Sequence, residues 1–262
     1  MRADDYTGWR RLAEAAALLG GRYLVDRRAD WRRIEAAEGH DVKLAADRLA
    51  EEMIVARLRE ASPFDILGEE GGRIAGTGAP GNGDSAADAD LCWLVDPLDG
   101  SLNYTRGLPA CCVSIALCRG GDPVLGVIYD FNRDELFSGD AAGGAFLNGA
   151  PMAVSNVADP AEAVLASGFP SYLDHSDDTL GAFVRQVQRY RKVRALGSAA
   201  LMLAYVACGR MDAYIEQETA LWDVAAGIAL VRAAGGKATL SGGTALDRTL
   251  DVTAWNGRFD PA

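Results

Sequence analysis

The sequence predicts an α/β chain built from two unlike halves, on three observations. Two helical stretches open the chain, short strands with tight turns fill its middle, and strands alternate with helices after residue 160. Residues 1–157 read as an N-terminal α+β half with two helices and an antiparallel sheet, and residues 158–262 as a C-terminal α/β half.

Over residues 4–27, Trp9, Leu12, Ala16, Leu19 and Tyr23 recur at steps of three and four, which predicts a helix. A second helix fits VKLAADRLAEEMIVARLREA, residues 42–61, and FDIL reads as a short strand running into GEEGG. Residues 71–90 have almost no large apolar side chain, so a flexible loop is expected, either a lid or a surface excursion. The strands LCWLVD, CCVSIALC, PVLGVIYDF, ELFSG, GAFLNG and PMAVS follow. Their short turns predict an antiparallel sheet with helices on one side. The second half reads as strand AVLASG, a helix near 176–191, strand KVRAL, helix GSAALMLAYVACG and strand DAYIE. Helix LWDVAAGIALVRAAGG and the strands KATLSG and DVTAWN complete it.

A net charge of −11 argues against a basic nucleic-acid face. No window of about 18 uninterrupted apolar residues occurs, so no membrane span is expected. The charged start MRADDYTGWRR lacks the apolar core of a secretion signal, which makes the cytoplasm the expected compartment. Cys92, Cys111, Cys112, Cys118 and Cys208 form no CxxC pair and read as small core residues. His40 and His175 share no ligand spacing, which argues against zinc and against a Ser-His-Asp triad.

The chemistry gathers in WLVDPLDGSLNY, residues 93–104. Pro97 biases Asp96 toward extended backbone, and Gly100 permits a sharp turn after Asp99. Two carboxylates can then point the same way from a rigid corner, with the N–H groups of Gly100 and Ser101 behind them, suited to an anion. Further acids stand near the ends of other elements: Asp47 in the second helix, Glu69 after a strand, Asp223 at a helix start. Oxygen-only ligation points to Mg²⁺, with Mn²⁺ a possible substitute, bridging acid to phosphate. A turn that only caps the strand is the alternative.

WLVDPLDGS and WDVAAG match the two signatures of the inositol monophosphatase family, W-[IVL]-[IVL]-D-P-[IL]-D-G-[TS] and W-D-x-A-[AG]-[AG]. GEE and the helix aspartate Asp47 stand at the family's upstream positions, and the order holds from about residue 10 to residue 257. The chain therefore resembles these Mg²⁺-dependent, lithium-sensitive phosphatases. The resemblance implies a layered αβαβα sandwich, shared with fructose-1,6-bisphosphatase, and hydrolysis of a phosphate monoester by a metal-activated water. It implies two or three Mg²⁺ ions held by Glu69, Asp96, the Leu98 carbonyl, Asp99 and Asp223. Glu69, Ser101 and Asp47 would attend the attacking water, and the Gly100 and Ser101 amides the phosphate. Gly197, Ser198, Ala199, Glu216 and Asp223 would meet the substrate, and a homodimer is the common assembly.

The chain departs from the family at KLAAD, where Lys43 and Leu44 replace the usual valine and threonine, so a hydroxyl near Asp47 is missing. Asn103 is what inositol-type members carry, which favours an inositol or related sugar or polyol phosphate. Fructose 1,6-bisphosphate, adenosine 3′,5′-bisphosphate and histidinol phosphate are the alternative substrates. A regulatory binding protein on the same fold is the alternative of another class, and would be marked by loss of a metal carboxylate.

Overall fold

The structure, a computed structural model, describes residues 6–28, 34–38, 41–77, 90–169, 176–242 and 249–261, with 34–38 and 41–44 as backbone only. Most of the expected loop over 71–90 lies outside the described residues, as do His40 and His175.

Helix α1 (Thr7–Asp26) buries Leu12, Ala13, Ala16, Ala17 and Leu24 along one face, as its periodicity predicts. The next segment differs from expectation. Strands β1 (Ile34–Glu38) and β2 (Asp41–Leu44) pair antiparallel, and helix α2 (Ala45–Arg59) begins only after them. The helix starts where two alanines and Asp47 supply good first-turn residues, whereas β-branched Val42 suits a strand.

Strands β3 (Asp65–Gly68), β4 (Gly72–Ile74) and β5 (Leu91–Asp99) follow, then the short helix α3 (Ser101–Arg106). Strands β6 (Cys112–Arg119), β7 (Asp122–Asp130), β8 (Glu135–Asp140), β9 (Gly144–Leu147) and β10 (Ala150–Pro151) complete one sheet, ordered β10-β9-β8-β7-β6-β5-β3-β4. Every neighbouring pair is antiparallel except β3–β5, which is parallel. The expected strand over 151–155 ends at Pro151, because Val154 leaves the sheet to donate its N–H to the Ala234 carbonyl.

The remaining elements are β11 (Val164–Ala166), α4 (Asp177–Gln188), β12 (Lys192–Arg194), α5 (Ala199–Ala207), β13 (Ala213–Ala220), α6 (Leu221–Ala233), β14 (Lys237–Ser241) and β15 (Thr249–Trp255). They form a mixed five-stranded sheet, β12-β11-β13-β15-β14. Its β11 runs parallel to both β12 and β13, and β15 antiparallel to β13 and β14.

Helices cover both faces of the first sheet, not one. The core against α1 and α2 holds Ile54, Leu58, Trp93, Val95, Ile115 and Val127. The opposite core holds Leu94, Ala116, Ile128 and Phe137 against α5 and α6, which also meet the second sheet at Tyr214 and Val252. The sequence carries the reason: β5 and β6 are nearly continuous apolar runs, buried at almost every position, as a strand covered on both faces must be. Helix α4 and Tyr190 lie outside the second sheet, over Leu165 and Ile215. The layers are therefore α, β, α, β, α, the expected sandwich.

All five cysteines are free thiols, four of them buried. Among the described residues no helix is long and apolar enough to cross a membrane.

Helix α6 approaches β7 closely because Gly126 has no side chain, and a β-carbon there would stand 2.1 Å from the Ala226 carbonyl oxygen. We predict that Gly126→Ala destabilises the protein by about 1–3 kcal/mol in urea denaturation, since backbone lies on both sides of the contact. Unchanged stability would mean that α6 does not rest on this strand.

Candidate active site

The corner at 96–99 is a β-bulge. Asp96 stands opposite Ser114 and Asp99 opposite Cys112, so three steps along β5 match two along β6. Residues three apart on an unbroken strand point to opposite faces. The extra residue cancels that alternation and turns Asp96 and Asp99 to one side. Pro97 suits the bulge, having no N–H to leave unpaired. The Leu98 N–H donates to Asp96 Oδ1 at 2.9 Å, and the Ser101 hydroxyl donates to the Leu98 carbonyl at 3.0 Å. Gly100 sits at φ +89°, the left-handed turn that lets α3 start at once.

Glu69 reaches the corner through the parallel pair. Gly68 registers with Val95, and the Glu69 N–H donates to the Val95 carbonyl at 3.1 Å, which sets Glu69 beside Asp96. The two carboxyls lie close enough to shift each other's proton affinity in opposite directions, Glu69 downward and Asp96 upward. Asp223 comes from the first turn of α6, after a break in the β13–β15 register between Glu216 and Thr219. Asp99 is held by α5: its Oδ2 accepts from the Ser198 hydroxyl and the Ala200 N–H, both at 2.7 Å.

Burial raises the proton affinity of all four acids. Glu69 is pushed up to about 7 and Asp99 to about 6, and Asp96 and Asp223 stand well above the carboxylate range. After burial, mutual repulsion is the main upward influence: Glu69, Asp99 and Asp223 act on Asp96, and Glu69, Asp99 and Glu216 on Asp223. The charged groups that act most strongly on the four are other carboxylates. Such a cluster is costly in low dielectric unless protons or cations occupy it.

Among the described residues no group of three Asp, Glu, His or Cys side chains is placed as it stands to hold a metal ion. The donor set nevertheless fits a hard divalent cation. It is all oxygen, it runs from the buried Asp96 to the solvent-exposed Glu69, and its terminal torsions are soft enough to turn toward an ion.

Other expected residues divide between this cluster and its supports. Glu216 faces Asp99 and Asp223, and its carboxylate accepts from the Tyr214 hydroxyl at 2.7 Å and lies directly against Gly168, where a β-carbon would collide with it. Gly197 and Ala199 flank Ser198, whose hydroxyl is committed to Asp99 and to the Leu201 N–H of its own helix. Asp47 is buried in α2 and does not figure among the strongest influences on the four acids.

The structure also brings in residues that sequence reasoning did not assign to the site. Asn103 donates to the carbonyls of Ala110 and Leu196 at 2.7 Å and of Gly197 at 3.2 Å, clamping the loop before Ser198 onto α3. Tyr214 is fully buried against Glu216, and Glu51 is buried behind the turn at Glu69. The available signal for Glu51 was its place, four residues after Asp47, on the buried face of α2.

Comparison with known proteins agrees with this arrangement. A family model described as the inositol monophosphatase family matches residues 7–259. An inositol-1-monophosphatase from Mesorhizobium japonicum is 42% identical over 193 residues, 73% of this chain and 69% of that protein. A protein named Nus factor SuhB, from Xylella fastidiosa, is 44% identical over 192 residues, covering 72% of this chain and 66% of its own length. The solved inositol monophosphatase of Anabaena superposes with a TM-score of 0.79 at 36% identity, covering 97% of this chain and 92% of that one. Fold and relatives together define a metal-dependent phosphoric monoester hydrolase, in a class that generally uses Mg²⁺. The chain belongs to the inositol monophosphatase family.

A carboxyl whose pKa is raised on folding keeps a proton that the unfolded chain has already lost, so stability falls as pH rises between the two values. For Glu69 that interval runs from 4.5 to about 7, and for Asp99 from 3.8 to about 6. We predict that the melting temperature of the metal-free protein drops between about pH 4 and about pH 7. Added Mg²⁺ should raise it more at the upper pH than at the lower. A melting temperature insensitive to both would contradict the cluster.

Proposed function

We propose that the chain hydrolyses the phosphate monoester of an inositol or of a related sugar or polyol. The observation that carries this reading is the set of four carboxylates, Asp96 buried, Asp99 and Asp223 half-buried and Glu69 at the solvent edge, standing together with Glu216 beside them. We assign Glu69, Asp96, the Leu98 carbonyl, Asp99 and Asp223 to hold two or three Mg²⁺ ions, with Mn²⁺ as a substitute. When bound, the metal lowers the pKa of the attacking water and offsets the charge that develops on the leaving oxygen.

The chain's own groups do the positioning that phosphoryl transfer needs. Glu69 and the Ser101 hydroxyl orient the water, with Asp47 in support. The Gly100 and Ser101 N–H groups hold phosphate oxygens. The Gly197–Ala199 backbone borders the substrate, and Glu216 accepts its hydroxyls, since a carboxylate offers acceptors only. The hydrogen bond from Tyr214 and the contact with Gly168 support this role by fixing the carboxylate in advance. Halves meeting near residue 157, a homodimer, lithium sensitivity and a cytoplasmic location belong to the same reading.

A second reading is favoured by the relative named Nus factor SuhB: a regulatory binding protein on this fold. The acids it could dispense with are present here, which supports catalysis.

Phosphate release should be measured on inositol 1-phosphate, fructose 1,6-bisphosphate, adenosine 3′,5′-bisphosphate and histidinol phosphate, with Mg²⁺, without it, and with Li⁺. We predict Mg²⁺-dependent release, strongest from inositol 1-phosphate and inhibited by Li⁺. Release from another member of the panel would reassign the substrate, and release from none would bring the binding role forward. Asp99→Asn should lower kcat by about 10³-fold or more while the protein stays folded; near-normal turnover would remove Asp99 from the site.

A further inference from the structure

Glu51 lies one turn beyond Asp47 on α2 and is only 4% exposed. Its carboxylate is matched by backbone amides: Oε2 accepts from the Glu70 N–H at 3.0 Å and Oε1 from the Gly71 N–H at 2.6 Å. These are the two residues that follow Glu69. The Glu69 N–H is itself fixed on the Val95 carbonyl, so the backbone that carries Glu69 is tied on one side to β5 and on the other to α2.

The surrounding sequence makes room for this carboxylate. A β-carbon at Gly68 would stand 2.5 Å from Glu51 Cδ, and one at Gly71 would stand 2.7 Å from Oε1. Two glycines in GEEGG therefore frame Glu51, and the turn closes around its side chain. The neighbouring Glu52 shows the contrast, since it is exposed and pairs with Arg48 at 2.8 Å on the outer face of the same helix.

We infer that Glu51 is a positioning residue for the metal centre: it fixes the turn at residues 69–71, aims Glu69 at Asp96, and thereby sets the affinity for the divalent cation. It touches neither cation nor substrate. The inference rests on the assignment of Glu69 as a metal ligand.

Two substitutions disturb the contact from opposite sides. Glu51→Gln keeps the shape but turns an amide N–H toward one of the two backbone N–H groups. Gly71→Ala pushes the Glu51 carboxylate from the exposed side of the turn, where the added methyl group meets only Glu51, so it tests the same contact with little burden on the fold. Mg²⁺ binding to the full chain would be measured by calorimetry, and Mn²⁺ binding by electron paramagnetic resonance, for the wild type, both variants and Glu69→Gln. The melting temperature of each metal-free protein would be recorded alongside.

Both variants should bind Mg²⁺ about 10- to 100-fold more weakly than the wild type, the range seen when the partner of a ligand is removed. The double variant should show less than the product of the two losses, because both act on one contact. Wild-type affinity in folded Glu51→Gln or Gly71→Ala, with Glu69→Gln defective, overturns the role of Glu51 and leaves the metal centre standing. A lowered melting temperature with unchanged affinity does the same. A wild type that binds no Mg²⁺ overturns the metal centre, and this inference with it.

Discussion

Repulsion among clustered carboxylates is the constraint on which the rest of this molecule depends. Glu69, Asp96, Asp99 and Asp223 come from three separate parts of the chain into one place, where Glu69 and Asp99 make both Asp96 and Asp223 harder to ionise. Folding alone does not favour such a grouping. It becomes reasonable as the receiving half of an interaction whose other half is a cation, and then a phosphate. An acidic chain with a net charge of −11 can bind an anionic substrate by the same means.

Rigid elements hold the cluster against that repulsion. The bulge in β5 turns two aspartates to one side, the parallel β3–β5 pair sets Glu69 beside them, and the first turn of α6 brings in Asp223. Ser198 and the Ala200 N–H fix Asp99, and Asn103 fixes the loop that leads to Ser198. The acids thus rest on hydrogen-bonded backbone from both sheets and from the helices between them, and a site supported in this way is pre-organised.

Much of this was legible in the sequence, for identifiable reasons. A proline between two aspartates at the end of an apolar run is rare enough to carry meaning, and the acids Glu69 and Asp223 stand at element ends that periodicity alone can locate. Strands β5 and β6 were readable because burial on both faces writes a continuous apolar run. The same runs indicated helices on both sides of the sheet, an implication that the expectation of a one-sided sheet overlooked. Strands β1 and β2 were missed because IEAAE and DVKL are short, poor in β-branched residues, and stabilised by each other. Glu51 was missed because Glu51 and Glu52 look alike in a string of letters, and only packing makes one a buried anchor and the other a surface ion pair. The amide of Asn103, read as a mark of substrate type, serves as a clamp on backbone carbonyls, a role set by contacts more than ninety positions away in the chain.

Anomalous diffraction from crystals grown with Mn²⁺ tests the central claim most directly, because it locates the ion without reference to turnover. The account predicts Mn²⁺ peaks among Glu69, Asp96, Asp99 and Asp223, at about 2.0–2.3 Å from carboxylate oxygens. Crystals saturated with Mn²⁺ that show no peak there, or peaks only on the acidic surface, would contradict it.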